Sequence, residues 1–386
     1  MENFDFYSPT HFAFGRGREN DAGALVRRFG GKKALVHYGG GSAVRSGLLA
    51  RVKASLDAAG VSSVELGGVR PNPRSELVYE GIGLAQSEGC DFILAIGGGS
   101  VIDSAKAIGI GVPYGGDFWD FYSGKAKVES SIPVGVVLTI AAAGSEGSGN
   151  SVISAEGGGL KRGAGSDIMR PKFAVMNPEL AATLPSYQVA CGGADIMAHV
   201  FERYFTNTQG VEATDCLCEG LLRAMVAVLP RAVENPADYD AQANVMWAGT
   251  LAHNNIVGVG REQDWASHGI EHELSAMYDV AHGAGLAVIF PSWMRFVVSR
   301  DYARFARLAR VVWGISDAND ESAAAKGIDA LRSFWKSLGL PSTMDELGAR
   351  REDLAYMASH VVEGRRGAFV RLSEADIVEI YESAFR

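Results

Sequence analysis

The stretch "FILAIGGGSVIDSAKAIGI", residues 92–110, joins an apolar, strand-like run to a helical pattern through three glycines. Glycine lets the backbone approach a ligand closely, and the free N–H groups at the start of a helix attract a phosphate. The segment lacks the G-x-G-x-x-G motif of a Rossmann fold. It indicates a nucleotide-binding strand–turn–helix unit, although a tight turn with Asp103 complementing the helix dipole would give the same pattern.

Further apolar runs at residues 33–38, 62–69 and 132–139 alternate with helical patterns. Such alternation predicts βαβ units on a parallel sheet. From about residue 186 the pattern changes to long helical segments with almost no strand-like alternation. We therefore predict an α/β domain with a parallel, Rossmann-like, dinucleotide-binding sheet at residues 1–185 and an all-helical domain at residues 186–386. The ligand is expected in the cleft between them, where pockets preferentially form.

A second glycine cluster, "YGGGSAVRSG" at residues 38–47, follows the first clear strand-like run. An acidic residue at this position would favour a free ribose hydroxyl and repel a phosphate. The cluster contains no acidic residue and has Arg45 one turn further on. It therefore favours the phosphorylated dinucleotide NADP(H), the alternative being a flexible turn with a solvated arginine.

Composition restricts the partners of the chain. Its net charge of −9 and pI near 5.5, without a run of Lys and Arg, argue against a nucleic-acid or anionic-membrane surface. No apolar run approaches the roughly 20 residues of a membrane span, and the N-terminus does not resemble a signal peptide. Four cysteines are too few for a disulfide framework in 386 residues. We expect a cytoplasmic protein that acts on a small molecule.

Three histidines occur within "SHGIEHELSAMYDVAHG", residues 267–283, and they are His268, His272 and His282. Asp195 and His199 lie four residues apart in a helical pattern, where such a pair is more often only solvated or hydrogen-bonded. Together, however, one carboxylate and three imidazoles would suit a divalent first-row metal with an open position for substrate. Five candidates therefore compete for four positions, and their spacing excludes none of them.

Segments along the whole chain, among them "AIGGGSVIDSAK", "GADIMAHVFERY" and "GREQDWASHGIEHELSAMYDVAHGAGLAVIFP", resemble the iron-containing (group III) alcohol dehydrogenases. Within that family they resemble most the NADPH-dependent butanol dehydrogenase and aldehyde reductase branch. The resemblance implies hydride transfer between NADP(H) and a primary alcohol or aldehyde of short to medium chain length. It also implies a divalent metal, Fe(II) in preference to Zn(II), and a homodimer that forms through the β-rich residues 4–15.

The resemblance also assigns individual residues. It places the metal on Asp195, His199, His268 and His282, and it places His272 beside the nicotinamide, where it would relay a proton unless water or the ribose hydroxyls do so. His253 replaces an apolar residue of the family pattern and is expected to be structural. The implied cofactor contacts are Gly39, Gly40, Gly41, Ser42, Asn72, Gly97, Gly98, Gly99, Ser100, Asp103, Thr139 and Lys161.

Three other functions compete with this interpretation. Glycerol dehydrogenase-like polyol oxidation would use fewer histidines and a less apolar site. A lyase similar to dehydroquinate synthase would need a glutamate among its metal ligands and a basic pocket for an acidic phosphate substrate, and we find no such pocket in the sequence. A metal-dependent hydrolase would leave both glycine turns unexplained. Trp265, just before the histidine cluster, is expected to pack in the core, the alternative being that it lines an apolar substrate pocket.

Overall fold

The computed structural model describes residues 1–155 and 160–386, and these form two compact units. One unit is Tyr7–Thr183, and the other is Leu184–Arg386 together with Met1–Phe6. The amino group of Met1 donates to the carbonyl of Gln209 over 2.7 Å, and the Glu2 N–H donates to the Gly260 carbonyl over 2.9 Å. The six N-terminal residues therefore belong with the helical unit, and not with the α/β unit to which the sequence assigned them.

Strands lie only in the first unit, as far as the structure describes the chain. Six of them form one parallel sheet, and the other two form an antiparallel pair. The predicted parallel α/β architecture is thus confirmed, and the apolar runs singled out in the sequence are strands of this sheet. The strands are β1 His11–Phe14, β2 Lys33–Gly39, β3 Ser62–Val69, β4 Phe92–Gly97, β5 Val134–Leu138, β6 Asn150–Ser154, β7 Lys161–Gly165 and β8 Phe173–Met176.

The order of the parallel sheet is β1-β8-β5-β4-β2-β3. Every residue of β4 is buried, as expected for a strand whose two faces are covered by helices. Leaving β1 aside, the strands follow the doubly wound order 2-1-3-4-5 and not the 3-2-1-4-5-6 of the Rossmann fold. The direction of winding reverses between β2 and β4, which are neighbours in the sheet. The helices of this unit are α1 Ala22–Arg28, α2 Ser42–Arg45, α3 Leu48–Ala58, α4 Ser75–Ser87, α5 Gly99–Gly111 and α6 Trp119–Tyr122.

The second unit is helical, as predicted. Side-chain oxygens of Asp238, Asn319 and Ser373 cap the helices that follow them, which explains where these helices begin. None of the described helices is both long enough and apolar enough to cross a membrane. The helices are α7 Ser186–Tyr204, α8 Glu212–Glu234, α9 Tyr239–His253, α10 Ala266–Tyr278, α11 His282–Val297, α12 Tyr302–Trp313, α13 Asp320–Ser337, α14 Leu354–His360 and α15 Glu374–Ser383.

Helix α7 lies at the centre of this unit, because every residue from Val189 to Tyr204 is buried. Its polar side chains Asp195, His199 and Glu202 follow one another at spacings of four and three residues. Residues at these spacings share one face of a helix. A buried helix therefore carries a buried polar stripe, and this stripe organises the candidate site.

Candidate active site

Three helices bring one carboxylate and three imidazoles together in the helical unit. The Oδ1 atom of Asp195 lies 3.4 Å from Nδ1 of His199 on the same helix, α7. The same oxygen lies 3.8 Å from Nε2 of His268 on α10 and 3.8 Å from Nε2 of His282, the first residue of α11. The four residues that the resemblance assigned to a metal are therefore neighbours in the structure.

The donor atoms of this group fit a divalent cation. Asp195 Oδ1, His199 Nδ1 and His268 Nε2 are buried, and none has a hydrogen-bond partner among the described residues. Such orphaned atoms are rare in proteins because leaving a buried polar group unpaired costs about 1 to 3 kcal/mol. The ligand atoms of Asp195, His268 and His282 lie within 4.8 Å of one another. His199 is not part of that set of three, although its Nδ1 adjoins the same carboxylate.

His272, which the resemblance kept apart from the ligands, lies beside the cluster. Its ring centroid is 6.5 Å from that of His268 and 5.5 Å from that of His282. It also belongs to a second possible ligand group with Glu271 and His282, whose ligand atoms lie within 4.8 Å of one another. The structure therefore places all five candidates close together, and it offers two possible ligand groups that share His282, one of which adds Glu271.

Two buried glutamates, which the sequence analysis missed, contact these imidazoles. Glu202 Oε1 accepts hydrogen bonds from the backbone N–H of His268 over 2.9 Å and from its Nδ1 over 2.7 Å. Glu271 Oε2 bonds Nδ1 of His282. Glu202 follows His199 by three residues and Glu271 follows His268 by three residues, so a search for helical faces around the candidate ligands could have found both.

A tryptophan and two arginines lie next to the same cluster. The ring of Trp265 lies 5.1 Å from that of His268 and 5.8 Å from that of His199. The guanidinium groups of Arg203 and Arg365 approach the indole ring at 4.7 and 5.1 Å. Trp265 also has a positive φ of 68°, which is uncommon for a bulky residue. The expected core residue is thus a neighbour of the candidate ligands.

His253, expected to be structural, packs against the candidate ligand His199 with a centroid distance of 4.1 Å and the rings tilted by 35°. The Arg203 guanidinium donates to its Nδ1 over 3.1 Å and to the carbonyl of His199 over 2.7 Å. Because the arginine can only donate, Nδ1 of His253 must accept. His253 and Arg203 therefore hold the His199 end of the cluster.

The electrostatics of the cluster differ from one imidazole to the next. Burial, reinforced by nearby His253, lowers the pKa of His199 well below its ordinary value. Burial also lowers the pKa of His268, but the carboxylates of Asp195 and Glu202 outweigh it and raise that pKa overall. Since a metal binds the neutral imidazole, protons compete with a metal more strongly at His268 than at His199.

In the α/β unit, both glycine turns lie at the carboxyl ends of adjacent strands. β2 ends at Gly39, and β4 ends at Gly97. Ligands of open α/β sheets bind at such a reversal of winding, outside the carboxyl ends of the strands. A Cβ at Gly40 would meet nothing within 4 Å, whereas one at Gly41 would lie 3.1 Å from the guanidinium of Arg45. The first turn is therefore open, with a cation close to it.

The remaining predicted cofactor residues lie near these strand ends or in a buried cluster. The Thr139 N–H donates to the Gly97 carbonyl, next to the second glycine turn. The Lys161 ammonium donates to Oδ1 of Asn72 over 3.0 Å. Asp103 is different, because its partly buried carboxylate accepts bonds from Ser145 Oγ and the Val152 N–H. Its visible role is to hold β6 against α5.

Comparison with known proteins identifies the family. Residues 9–178 match the family described as iron-containing alcohol dehydrogenase, and residues 189–385 match the C-terminal part described as Fe-containing alcohol dehydrogenase family. The chain is 39% identical to the probable NADH-dependent butanol dehydrogenase 1 of Bacillus subtilis, with 100% of both chains covered. It is 36% identical to the NADPH-dependent aldehyde reductase YqhD of Escherichia coli, over 90% of each.

A solved structure supports the same assignment. The crystal structure of NADH-dependent butanol dehydrogenase A from Thermotoga maritima matches with a TM-score of 0.97 and 38% identity. The match covers 100% of this chain and 99% of that one. From its sequence and its fold, the chain therefore belongs to the iron-containing alcohol dehydrogenase family.

Proposed function

We propose that the protein is a metal-dependent oxidoreductase that transfers hydride between NADP(H) and a primary alcohol or aldehyde of short to medium chain length. The observation that carries this proposal is the group of buried donor atoms on Asp195, His199 and His268 that have no hydrogen-bond partner in the described part of the chain. Relatives named as butanol dehydrogenases and as an aldehyde reductase support the substrate class. The polyol, lyase and hydrolase alternatives have no comparable support.

In this proposal Asp195, His199, His268 and His282 hold the metal. A bound divalent metal would act as a Lewis acid on the substrate oxygen, while the nicotinamide would supply or accept the hydride. The single carboxylate of Asp195 offsets part of the positive charge and leaves the site attractive to an alkoxide-like oxygen. Imidazole and carboxylate accept Fe(II), Zn(II) or Co(II) alike, so the ligand types do not select iron. We favour Fe(II) because of the family name, with Zn(II) as the alternative.

His272 is proposed to move the proton that accompanies hydride transfer. Its ring lies beside the rings of His268 and His282, and it is only partly buried. Histidine exchanges protons readily near neutral pH, because its ordinary pKa is about 6.5. A ring nitrogen of His272 would give a proton to the nascent alkoxide during aldehyde reduction and take it back during alcohol oxidation.

The cofactor preference rests on the turn at Gly39–Ser42. NADPH carries a phosphate on the adenosine ribose, which requires donors and the absence of carboxylates. The turn contains three glycines, one serine and no acidic residue, and the guanidinium of Arg45 adjoins Gly41. Backbone N–H groups of such a turn can form an anion-binding nest. Some relatives are named as NADH-dependent and others as NADPH-dependent. The preference of this protein therefore has to be measured.

Titration of the purified protein with NADPH and with NADH, followed by nicotinamide fluorescence, tests both the oxidoreductase class and the preference. We expect both cofactors to bind and NADPH to give the higher kcat/KM. Failure to bind either cofactor would contradict the proposed function. A higher kcat/KM with NADH would contradict the assignment of the Gly39–Ser42 turn to the ribose phosphate.

The variant Gly39→Asp sharpens this test. A Cβ at Gly39 would meet only ordinary contacts, the nearest being the Val69 carbonyl at 3.5 Å, so the side chain fits. The new carboxylate should repel the phosphate and remove a charged contact worth roughly 1.5 to 3 kcal/mol, or about 10- to 100-fold in NADPH preference. Gly39→Asn, which has the same shape without the charge, is the control and should change the preference much less.

The proposed assembly is a homodimer formed through residues 4–15. β1 lies at an edge of the sheet and pairs with β8, and the side chains of Phe4, Phe6 and Tyr7 are exposed. An exposed edge strand invites pairing with another chain. Light scattering that gives the mass of a monomer would reject the dimer.

A cytoplasmic location is proposed because all four cysteines are free in the structure, as in most proteins of reducing compartments. Cell fractionation would test it.

A further inference from the structure

The imidazole of His268 is held from behind by a glutamate of another helix. Glu202, on α7, is completely buried, and its Oε1 accepts from both the backbone N–H and Nδ1 of His268. Its Oε2 accepts from the backbone N–H of Trp265 over 2.7 Å. A single carboxylate thus fixes the first turn of α10 and the ring of the histidine that this turn carries.

The imidazole of His282 is held in a corresponding way. Glu271, on α10, is also completely buried, and its Oε2 bonds Nδ1 of His282 at the start of α11. Its Oε1 accepts from the hydroxyl of Ser275 on its own helix. Both imidazoles therefore have Nδ1 on a buried carboxylate and Nε2 at 3.8 Å from Oδ1 of Asp195.

We propose that Glu202 and Glu271 are positioning residues that determine which nitrogen of His268 and His282 is free to bind the metal. An ionised carboxylate can only accept hydrogen bonds, so Nδ1 of each ring must carry a proton. A neutral ring then has its lone pair on Nε2, which faces Asp195. This inference rests on the proposed metal site, and it adds the residues that prepare two of its ligands before a metal arrives.

The pattern of partners separates this role from simple packing. Glu219, also buried in the helical unit, accepts from the Tyr204 hydroxyl and from the Arg307 guanidinium, and neither of these donors is a candidate metal ligand. The partner of Glu202, in contrast, is an imidazole whose other nitrogen, Nε2 of His268, is buried without a hydrogen-bond partner among the described residues. A carboxylate that served only to stabilise the fold would not require that second nitrogen to be left unpaired.

The two glutamates should differ in sensitivity to substitution. In Glu202→Gln the new amide group must face an N–H donor, either that of Trp265 or one of those of His268, so at least one hydrogen bond is replaced by a clash of donors. In Glu271→Gln the Ser275 hydroxyl can turn and accept from the amide instead. We therefore expect the larger loss of metal affinity from Glu202→Gln.

The experiment measures metal affinity directly. The metal-free protein and its variants are titrated with Zn(II) and with Co(II) against a chelator of known affinity. Loss of such a supporting carboxylate typically weakens metal binding 10- to 100-fold. We expect about 100-fold for Glu202→Gln and about 10-fold for Glu271→Gln. The control Glu219→Gln should leave the affinity within about threefold, even though it removes a buried ion pair.

A second measurement reads the tautomers and needs no variant. In metal-free protein labelled with ¹⁵N at histidine, His268 and His282 should each show a protonated Nδ1 and an unprotonated Nε2 near pH 8. Glu202→Gln should move His268, and Glu271→Gln should move His282, toward a mixture of tautomers, which the Glu219→Gln control should not do. Wild-type rings that carry their proton on Nε2 would overturn the inference, whatever the variants do.

The outcomes distinguish this inference from the proposed function. A wild-type protein that binds neither metal would overturn the metal site itself. A wild-type protein that binds metal, with both glutamine variants binding equally tightly, would overturn only the positioning role. If His272→Ala weakened metal binding as much as Glu271→Gln, then Glu271 would be a ligand in the group with His272 and His282, and its positioning role would be overturned.

Discussion

One buried polar cluster of the α/β unit and one of the helical unit differ in how their polar atoms are paired. In the α/β unit, the completely buried ammonium of Lys106 donates to the Ser145 carbonyl over 2.7 Å, to the Ser145 hydroxyl over 2.8 Å and to the Asn150 carbonyl over 2.8 Å. The Ser145 hydroxyl in turn donates to Asp103. In the helical unit, donor atoms of Asp195, His199 and His268 have no hydrogen-bond partner among the described residues.

This difference in pairing distinguishes a cluster that stabilises the fold from one that is a candidate binding site. A buried polar network whose members satisfy one another makes the fold specific and rigid. Unpaired buried atoms destabilise the fold, and in the proposed site a bound metal would supply the missing partner. Burial alone therefore does not identify a site, since Lys106 is as buried as Asp195. The informative property is what each buried atom contacts.

The strongest test of the site in the helical unit is removal of one proposed metal ligand. His268→Ala and His282→Ala should each lower kcat at least about 1,000-fold, because a Lewis acid contributes several kcal/mol to stabilising the developing charge. Each variant should also contain less metal than the wild type, as measured by elemental analysis. Native metal content together with full activity in either variant would remove that residue from the site.

The strongest test of the α/β side is Lys106→Met. Removing one partner of a buried charged network typically costs about 3 to 5 kcal/mol of stability, because the remaining charge on Asp103 loses its compensation. The loss should appear in urea unfolding of the α/β unit, and the metal content should stay unchanged. Lys53→Met is the matched control, since exposed Lys53 pairs with Glu65 at the surface and should cost less than about 1 kcal/mol.

If Lys106→Met left stability unchanged but weakened cofactor binding, the contrast between the two units would be wrong. The Lys106 cluster would then be part of the cofactor site. Measuring NADPH binding on the same preparation of Lys106→Met decides between a structural role and a cofactor-binding role of this cluster.

The smallest predicted effect concerns pH. His37 on β2 is buried and bonds the Leu66 carbonyl and the Ser104 hydroxyl, each over 2.9 Å. Burial lowers the pKa of His37 from 6.5 to about 4. Between these values the unfolded chain takes up a proton that the folded protein does not, so stability present above pH 6.5 is lost as the pH falls towards 4.

This linkage gives a number for the contribution of His37. When the pH falls from 8 to 5, the lowered pKa of His37 should decrease the free energy of unfolding by on the order of 2 kcal/mol. His37→Gln should therefore show a smaller loss of stability over the same interval, even if the variant is less stable at pH 8. Equal losses in the wild type and the variant, measured by urea unfolding, would contradict the assigned pKa.

The sequence alone determined the fold class and the set of candidate residues. Apolar runs separated by helical patterns are local properties of the chain, and they located β2 to β5 and the change to helices near residue 186. The glycine turns after β2 and β4 were visible for the same reason. The strands β6 and β7 were missed because their sequences, NSVIS and KRGAG, contain few apolar residues, and β8 was missed because its apolar run is only four residues long.

Only the tertiary structure decided how the candidates are arranged. Sequence spacing showed that Asp195 and His199 share a helix face, but it could not show that α7, α10 and α11 converge on one carboxylate oxygen. It also gave no reason to connect Glu202 with His268, 66 residues further along the chain. Such contacts depend on how separate helices pack and not on local propensity. For that reason the sequence proposed the candidate ligands, whereas the structure revealed the buried carboxylates that contact two of them.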